Sequence, residues 1–392
     1  MKVAFCGGGT GGHVYPALTV AAALRRLCDA AHEPLELLYV GVAGKIDAEL
    51  VAREGIAFRA VTAGPLRVGS PLGAAKGFLK LVAGTLQAYV ILRRFGPDVV
   101  FATGGYGSAG VGLAARLRRR PLLLFLPDVE PGLAVRLLTR VADRVAVSVP
   151  PAAAAMPAAK TVLTGYPVRP AFFAARRDEA RRRLDLDPGL PTLLVAGGST
   201  GASAINRDVA AWAADLLRLG QLIQVSGRND EGWLREECSR LPAELQARWH
   251  LHAYLHGDDM AFACAAADLA VMRAGASTLG ELPAAGLPAV LIPGDFSDQR
   301  ANALYLQEQG AAVMLPESGP GLAQLQPGVM YLLRDETRRR QMREAMAHLA
   351  QPQAAERLAR LLMEMAGAPL PTSPPQSPSP QARGKRQQRV RS

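Results

Sequence analysis

An α/β fold of two parallel-sheet halves facing each other across a cleft is what this 392-residue sequence predicts. Three observations carry the expectation. Short apolar runs alternate with helical patterns along most of the chain, the mark of parallel sheets with covering helices. Two stretches echo each other, VAFCGGGTGG at 3–12 and LLVAGGSTGA at 193–202, each an apolar strand running through a glycine turn into a helix. Between them GYPVRP at 165–170 interrupts the alternation, which restarts afterwards. Tandem Rossmann-like domains meeting near 165–170 follow, with ligands expected in the cleft at the strand ends.

The expected strands of the first half are Val3–Cys6, Leu35–Val40, Asp98–Ala102, Leu122–Phe125, Val145–Ser148 and Thr161–Leu163. The first runs into Gly7, Gly8, Gly9, Thr10, Gly11, Gly12 and His13. Gly7, Gly9 and Gly12 formally match a dinucleotide fingerprint. That motif also needs an acid at the end of the second strand to hold a ribose, and here the strand ends in Val40 and Gly41, so NAD is not expected. A P-loop is excluded because no GK[ST] follows. His13 has two readings, a structural cap or a general base in the cleft. PLGAAKGFLKLVAG at 71–84 sets Leu72, Phe78, Leu79 and Val82 beside Lys76 and Lys80, either an ordinary domain helix or an amphipathic one suited to an anionic bilayer surface. No uninterrupted apolar stretch reaches spanning length, so no transmembrane helix is expected. A second glycine turn, GGYGSAG at 104–110, follows the third strand; it serves either close packing or an anion at the cleft.

In the second half the expected strands are Thr192–Ala196, Leu222–Val225, Leu251–Ala253, Leu269–Met272, Ala289–Ile292 and Ala312–Met314. Asp258 and Asp259 read as a turn or helix cap rather than a metal pair. After Met272 the chain reads RAGASTLGELPAAGLPAVLIP. A helix starting at Ser277–Glu281 offers its positive end to a phosphate and Glu281 to a ribose diol. Equally, Glu281 complements the helix dipole.

Composition narrows the function classes. Apolar residues make up 49% and charged residues 20%, as in a soluble globular protein. Cys6, Cys28, Cys238 and Cys264 are scattered, which fits a reducing cytoplasm and suggests neither disulfides nor zinc. The net charge is +11, of which Arg383, Lys385, Arg386, Arg389 and Arg391 near the C-terminus contribute five. The remaining moderate excess suits a phosphate-bearing substrate or an anionic membrane. Aromatic residues are only 5% and none interleaves a basic stretch, so no nucleic-acid partner is expected. From Gly367 onward the sequence is rich in Pro, Ser and Gln and is expected to be disordered.

Taken together, GGGTGGHVYPAL at 7–18, PDVVFATGGYGSAG at 97–110, PGLAVRLL at 131–138, GYPVRP at 165–170, GGSTGASAIN at 197–206, DDMAFACAAADL at 258–269, RAGASTLGELPAAGLPAVLIP at 273–293 and DQRANA at 298–303 resemble the peptidoglycan GlcNAc transferases of glycosyltransferase family 28. The motifs occur in family order and span residues 1 to about 366. The resemblance implies the GT-B architecture and inverting transfer of GlcNAc from UDP-GlcNAc to the lipid-linked acceptor lipid I, at the cytoplasmic face of the membrane, without a metal or other cofactor. It implies an acceptor- and membrane-side domain at 1–166, a UDP-sugar domain at 167–345, a helix at 346–366 returning to the first domain, and a tail at 367–392. It also implies that Ser199 lies by the diphosphate and that Leu255 holds the uracil. Ala276, Ser277, Thr278, Leu279 and Gly280 form the helix N-terminal loop, Glu281 takes the ribose hydroxyls, Gln299 and Asn302 meet the sugar, and Arg169 joins the donor set. Thr10, Gly11, Gly12 and His13 face the sugar and acceptor from the other domain, with His13 the candidate base. Gly104, Gly105, Tyr106 and Asp128 fall on the acceptor side.

The sequence departs from that family in places. Where the family has HEQN, this chain has Phe125, Leu126, Pro127 and Asp128, and Tyr166 replaces an Asn. Alternatives are therefore a related GT-B transferase with a different lipid-linked acceptor, or a non-catalytic UDP-sugar-binding protein. An isomerase of the UDP-GlcNAc epimerase type shares the architecture but needs acid/base residues of its own.

Overall fold

The computed structural model describes residues 1–8, 11–42, 44, 46–64, 71–198, 202–294, 299–317 and 320–371. Thr10, Ser199 and tail residues 372–392, named above, lie outside them. Among the described residues two parallel sheets form, of seven and six strands. The first is built from β1 (Lys2–Cys6), β2 (Glu36–Val42), β3 (Ala57–Val61), β4 (Val99–Ala102), β5 (Leu122–Leu126), β6 (Arg144–Val147) and β7 (Thr161–Leu163). Its order is β3-β2-β1-β4-β5-β6-β7. The second contains β8 (Thr192–Ala196), β9 (Gln221–Val225), β10 (Trp249–His252), β11 (Leu269–Met272), β12 (Ala289–Leu291) and β13 (Ala312–Met314), in the order β10-β9-β8-β11-β12-β13.

Helices cover both faces of such sheets, so the central strands read as unbroken apolar runs. LLLFL of β5 and TLLVA of β8 are buried throughout. Every strand expected from the sequence forms, with ends shifted by at most two residues. β3 was not expected. It is an edge strand, AFRAV, in which only Val61 is buried, so it lacks the apolar run that marked the others.

Each sheet has one switch point where the strand order reverses, between β1 and β4 in the first and between β8 and β11 in the second. Crevices open at such points beyond the carboxyl ends of the strands. The loops leaving β1, β4, β8 and β11 therefore supply most of the site described below.

The connection between the halves is double. The chain crosses at 164–170 and returns at 349–353, where Gly165 approaches so closely that a β-carbon there would lie 2.7 Å from Cβ of Gln351. The last helix, Ala354–Ala366, buries one stripe, Ala354, Leu358, Ala359, Leu362 and Met363, and packs against the opening helix, Gly11–Ala31.

In the helix Pro71–Phe95, residues 73–95 are long and apolar enough to cross a membrane by length and composition alone. Lys76 and Lys80 break the apolar run without making the segment polar. One side of this helix packs on the helix Tyr106–Leu117, and Gly84 permits close approach to β3, since a β-carbon there would lie 2.2 Å from the Thr62 carbonyl oxygen. The other side leaves Phe78, Leu79 and Leu86 exposed at 63%, 67% and 64%.

A buried charge cluster holds the base of the second half. Arg181 donates to the carbonyls of Ala266 and Pro188, to Thr192 Oγ1 and to Asp268, whose carboxylate also accepts from Arg177 and the Thr192 N–H. Losing Arg181 leaves Asp268 ion-paired with Arg177 alone among the described residues and takes the buried donor from the Ala266 and Pro188 carbonyls. Arg181→Met is expected to destabilise this half by about 3 kcal/mol, read as a lower urea midpoint; an unchanged midpoint contradicts this.

Candidate active site at the cleft

The first wall of the cleft is built on β1 and β4. His13 sits in the first turn of the opening helix, with Nδ1 2.9 Å from the Thr103 carbonyl oxygen, while Thr103 Oγ1 donates back to the His13 carbonyl at 2.7 Å. A carbonyl can only accept, so in the neutral imidazole Nδ1 carries the proton and Nε2 keeps its lone pair. Such an imidazole is oriented and equipped to take a proton. The ring lies on the second glycine turn. Gly105 has φ +72°, and a β-carbon there would lie 3.0 Å from His13 Cδ2 and 2.7 Å from the Gly8 carbonyl oxygen. Gly104 and Gly105 thus serve as the seat of the imidazole rather than as part of the cleft wall. Tyr106 opens the next helix and lines a separate recess beside Thr62 and Leu81.

The second wall comes from the turn after β11. There Thr278, Leu279 and Gly280 donate their N–H groups to the carbonyls of Gly275, Ala276 and Ser277, and the helix Thr278–Ala285 follows. The N–H groups of Ala276 and Ser277 make no such bond among the described residues, so this helix end presents its positive pole to the cleft. Burial pushes the Glu281 carboxyl above its usual range, and the Arg169 guanidinium and Ser277 hydroxyl pull it partly back. Arg169 itself is cradled by aromatic rings, 4.8 Å from the Tyr15 centroid and 5.1 Å from that of Phe172, and donates to the Gly257 carbonyl.

One cavity of about 460 Å³ brings Gly12, His13 and Asp128 of the first half together with Arg169, Leu255, Ala276, Ser277, Thr278, Glu281 and Gln299 of the second. Gly11 begins the opening helix. Leu279 and Gly280 face away, towards a neighbouring recess lined by Tyr166. Asn302 does not reach the cavity either. It is fully buried, donates to Asp128 Oδ1 at 2.8 Å and to the Ala274 carbonyl at 3.0 Å, and accepts the Val129 N–H at 2.9 Å. Its amide therefore ties the loop after β5 to the turn after β11. Asp259 begins the helix Asp259–Ala266 and pairs with Arg183 at 2.8 Å.

Sequence reasoning missed Thr103, Tyr15 and Tyr254. The Tyr15 and Tyr254 hydroxyls meet at 3.2 Å and bridge the halves; burial, then this contact, pushes the Tyr15 phenol up, so it stays protonated. No local pattern marks a pair so far apart in the chain, and Thr103 reads as an ordinary strand-end residue.

This geometry can be set beside known proteins. The family model described as the glycosyltransferase family 28 N-terminal domain matches residues 3–147, and that of the family 28 C-terminal domain matches residues 192–358. The chain belongs to glycosyltransferase family 28. Among family 28 relatives, the UDP-N-acetylglucosamine–N-acetylmuramyl-(pentapeptide) pyrophosphoryl-undecaprenol N-acetylglucosamine transferase of Roseiflexus sp. (strain RS-1) is 42% identical, over 91% of this chain and 93% of its own length. The Desulforudis audaxviator protein of the same name is 36% identical over 94% and 99%. Acinetobacter baumannii MurG aligns with TM-score 0.68 at 25% identity, covering 93% of this chain and 99% of that one. A Neisseria meningitidis UDP-GlcNAc 2-epimerase bound to UDP-GlcNAc shares the fold, with TM-score 0.65 at 12% identity over 93% and 100%. The two facing parallel sheets are the GT-B architecture.

Asn302→Ala leaves the Val129 N–H without its acceptor and takes a donor from Asp128. The expected cost is about 2 kcal/mol, with protease cleavage at 126–130 at least several-fold faster; unchanged cleavage contradicts the tie.

Proposed function

We propose that this family 28 chain transfers GlcNAc from UDP-GlcNAc to the 4-hydroxyl of MurNAc in undecaprenyl-pyrophosphoryl-MurNAc-pentapeptide, with inversion at the anomeric carbon. The observation that carries the reading is the division of labour across one cavity. The first half brings an imidazole with a basic Nε2, and the second brings a helix N-terminus, a guanidinium and a carboxylate. The names of the relatives support this choice of substrates.

The uridine would lie against Leu255, with its ribose hydroxyls on Glu281. The diphosphate would meet the N–H groups at Ala276 and Ser277, and Gln299 would reach the sugar. His13 Nε2 takes the proton of the acceptor hydroxyl as that oxygen attacks C1 from the face opposite the diphosphate. Charge developing on the departing UDP falls at the positive end of the helix Thr278–Ala285 and near Arg169. Residues 1–166 then hold the acceptor and 167–345 the donor, with 346–366 closing back on the first half.

Membrane docking belongs to the same reading. Phe78, Leu79, Val82, Leu86 and Val90 form one exposed stripe on the helix Pro71–Phe95, and Lys76, Arg93 and Arg94 are exposed on the same helix. An apolar stripe flanked by cations lies in the plane of an anionic interface. The chain is thus a peripheral protein of the cytoplasmic membrane face, placed where a polyprenyl-linked acceptor presents its sugar.

His13→Ala is expected to lower kcat for GlcNAc transfer to a lipid I analogue by roughly 100- to 10,000-fold, with UDP still bound. Transfer at the wild-type rate excludes His13 as the base. Glu281→Ala is expected to raise the UDP Kd at least about tenfold, the loss of a charged hydrogen bond of roughly 1.5 kcal/mol or more; calorimetry showing unaltered affinity moves the ribose elsewhere. Phe78→Ser, Leu79→Ser and Leu86→Ser combined should abolish co-sedimentation with phosphatidylglycerol vesicles while UDP affinity stays the same. Undiminished sedimentation would show that another surface docks.

A further inference from the structure

An α-helix satisfies the carbonyl of each residue with the N–H four residues on. The opening helix contains Pro16, which has no N–H to offer the Gly12 carbonyl. That carbonyl belongs to the peptide bond leading into His13. The Tyr166 hydroxyl reaches it at 3.2 Å, from a position 154 residues further along the chain.

The Tyr166 side chain is held from both halves. It is 3% exposed and meets Phe125 edge-on, with centroids 6.0 Å apart and planes at 61°. On the other side it rests on the backbone of the helix Thr278–Ala285; a β-carbon at Gly280 would lie 2.6 Å from Tyr166 Cδ1. The ring therefore has little freedom, and its hydroxyl position is set by the strand end of the first half and the phosphate-facing helix of the second.

We propose that Tyr166 is a positioning residue: its hydroxyl takes up the Gly12 carbonyl that Pro16 leaves without a helical partner, and so fixes the peptide that carries His13. This rests on the reading of His13 as the base. It also gives Tyr166 a role at a point of the linker that touches both halves. Phenylalanine at this position keeps the ring packing and removes only the donor.

The test is a double-mutant cycle on the full-length protein, with Tyr166→Phe, Pro16→Ala and the two combined. Alanine at 16 returns an N–H to the Gly12 carbonyl. Tyr166→Phe alone is expected to lower kcat for GlcNAc transfer to a lipid I analogue three- to tenfold, with the UDP Kd within twofold of wild type. In the Pro16→Ala background the same change is expected to lower kcat less than twofold. The His13 ring ¹⁵N resonances provide the same comparison without turnover: shifted by Tyr166→Phe, restored in the double variant. An unchanged kcat and unshifted ring signals in Tyr166→Phe overturn the proposal. So does an equal loss in both backgrounds, or a rise in UDP Kd that matches the fall in kcat. Full activity of His13→Ala would instead overturn the assignment of the base, and the ring signals would still decide the role of Tyr166.

Discussion

The reciprocal pair of hydrogen bonds between His13 and Thr103 is the contact on which the cleft depends. It joins the first turn of the helix that follows β1 to the residue just after β4, the two strands that flank the switch point of the first sheet. It sets the imidazole tautomer at the same time. Several sequence features make sense only around it. Glycine stands at 105 because a side chain there would strike the ring and the Gly8 carbonyl. Pro16, inside the opening helix, leaves a carbonyl open beside His13, and Tyr166 closes it.

A second constraint is electrostatic. A transferase that expels a nucleoside diphosphate needs positive potential where charge develops and a basic lone pair where a proton leaves. One compact domain would set those groups against each other. Here His13 stands on one side of the cavity, and the helix end and Arg169 stand on the other. The halves are held in register by Tyr15 with Tyr254 and by Asn302 with Asp128 and Val129.

The sequence made the sheets legible because central parallel strands are buried on both faces and must be continuously apolar, as in VAFC and LLLFL. β3 escaped because an edge strand carries no such demand. The opening glycine turn, the Arg273–Glu281 stretch and His13 were readable as a cleft lined with helix ends. The second glycine turn was readable only as a turn: whether Gly104 and Gly105 hold an anion or seat a side chain depends on His13, some ninety residues away. Asn302 shows the same limit. Its spacing from Gln299 places both on one helix, yet only tertiary packing buries one and turns the other to the cavity. The helix Pro71–Phe95 was legible as amphipathic, while its length was hidden by two lysines.

The most direct test of the central claim, a single displacement driven by His13 from one wall while UDP leaves toward the other, is the configuration of the new glycosidic bond. Transfer from UDP-α-GlcNAc to a soluble lipid I analogue, followed by proton NMR of the anomeric coupling, is predicted to give the β-linked product alone. An α-linked product would mean that attack comes from the same face as departure, and would contradict the placement of base and leaving group on opposite walls of the cleft.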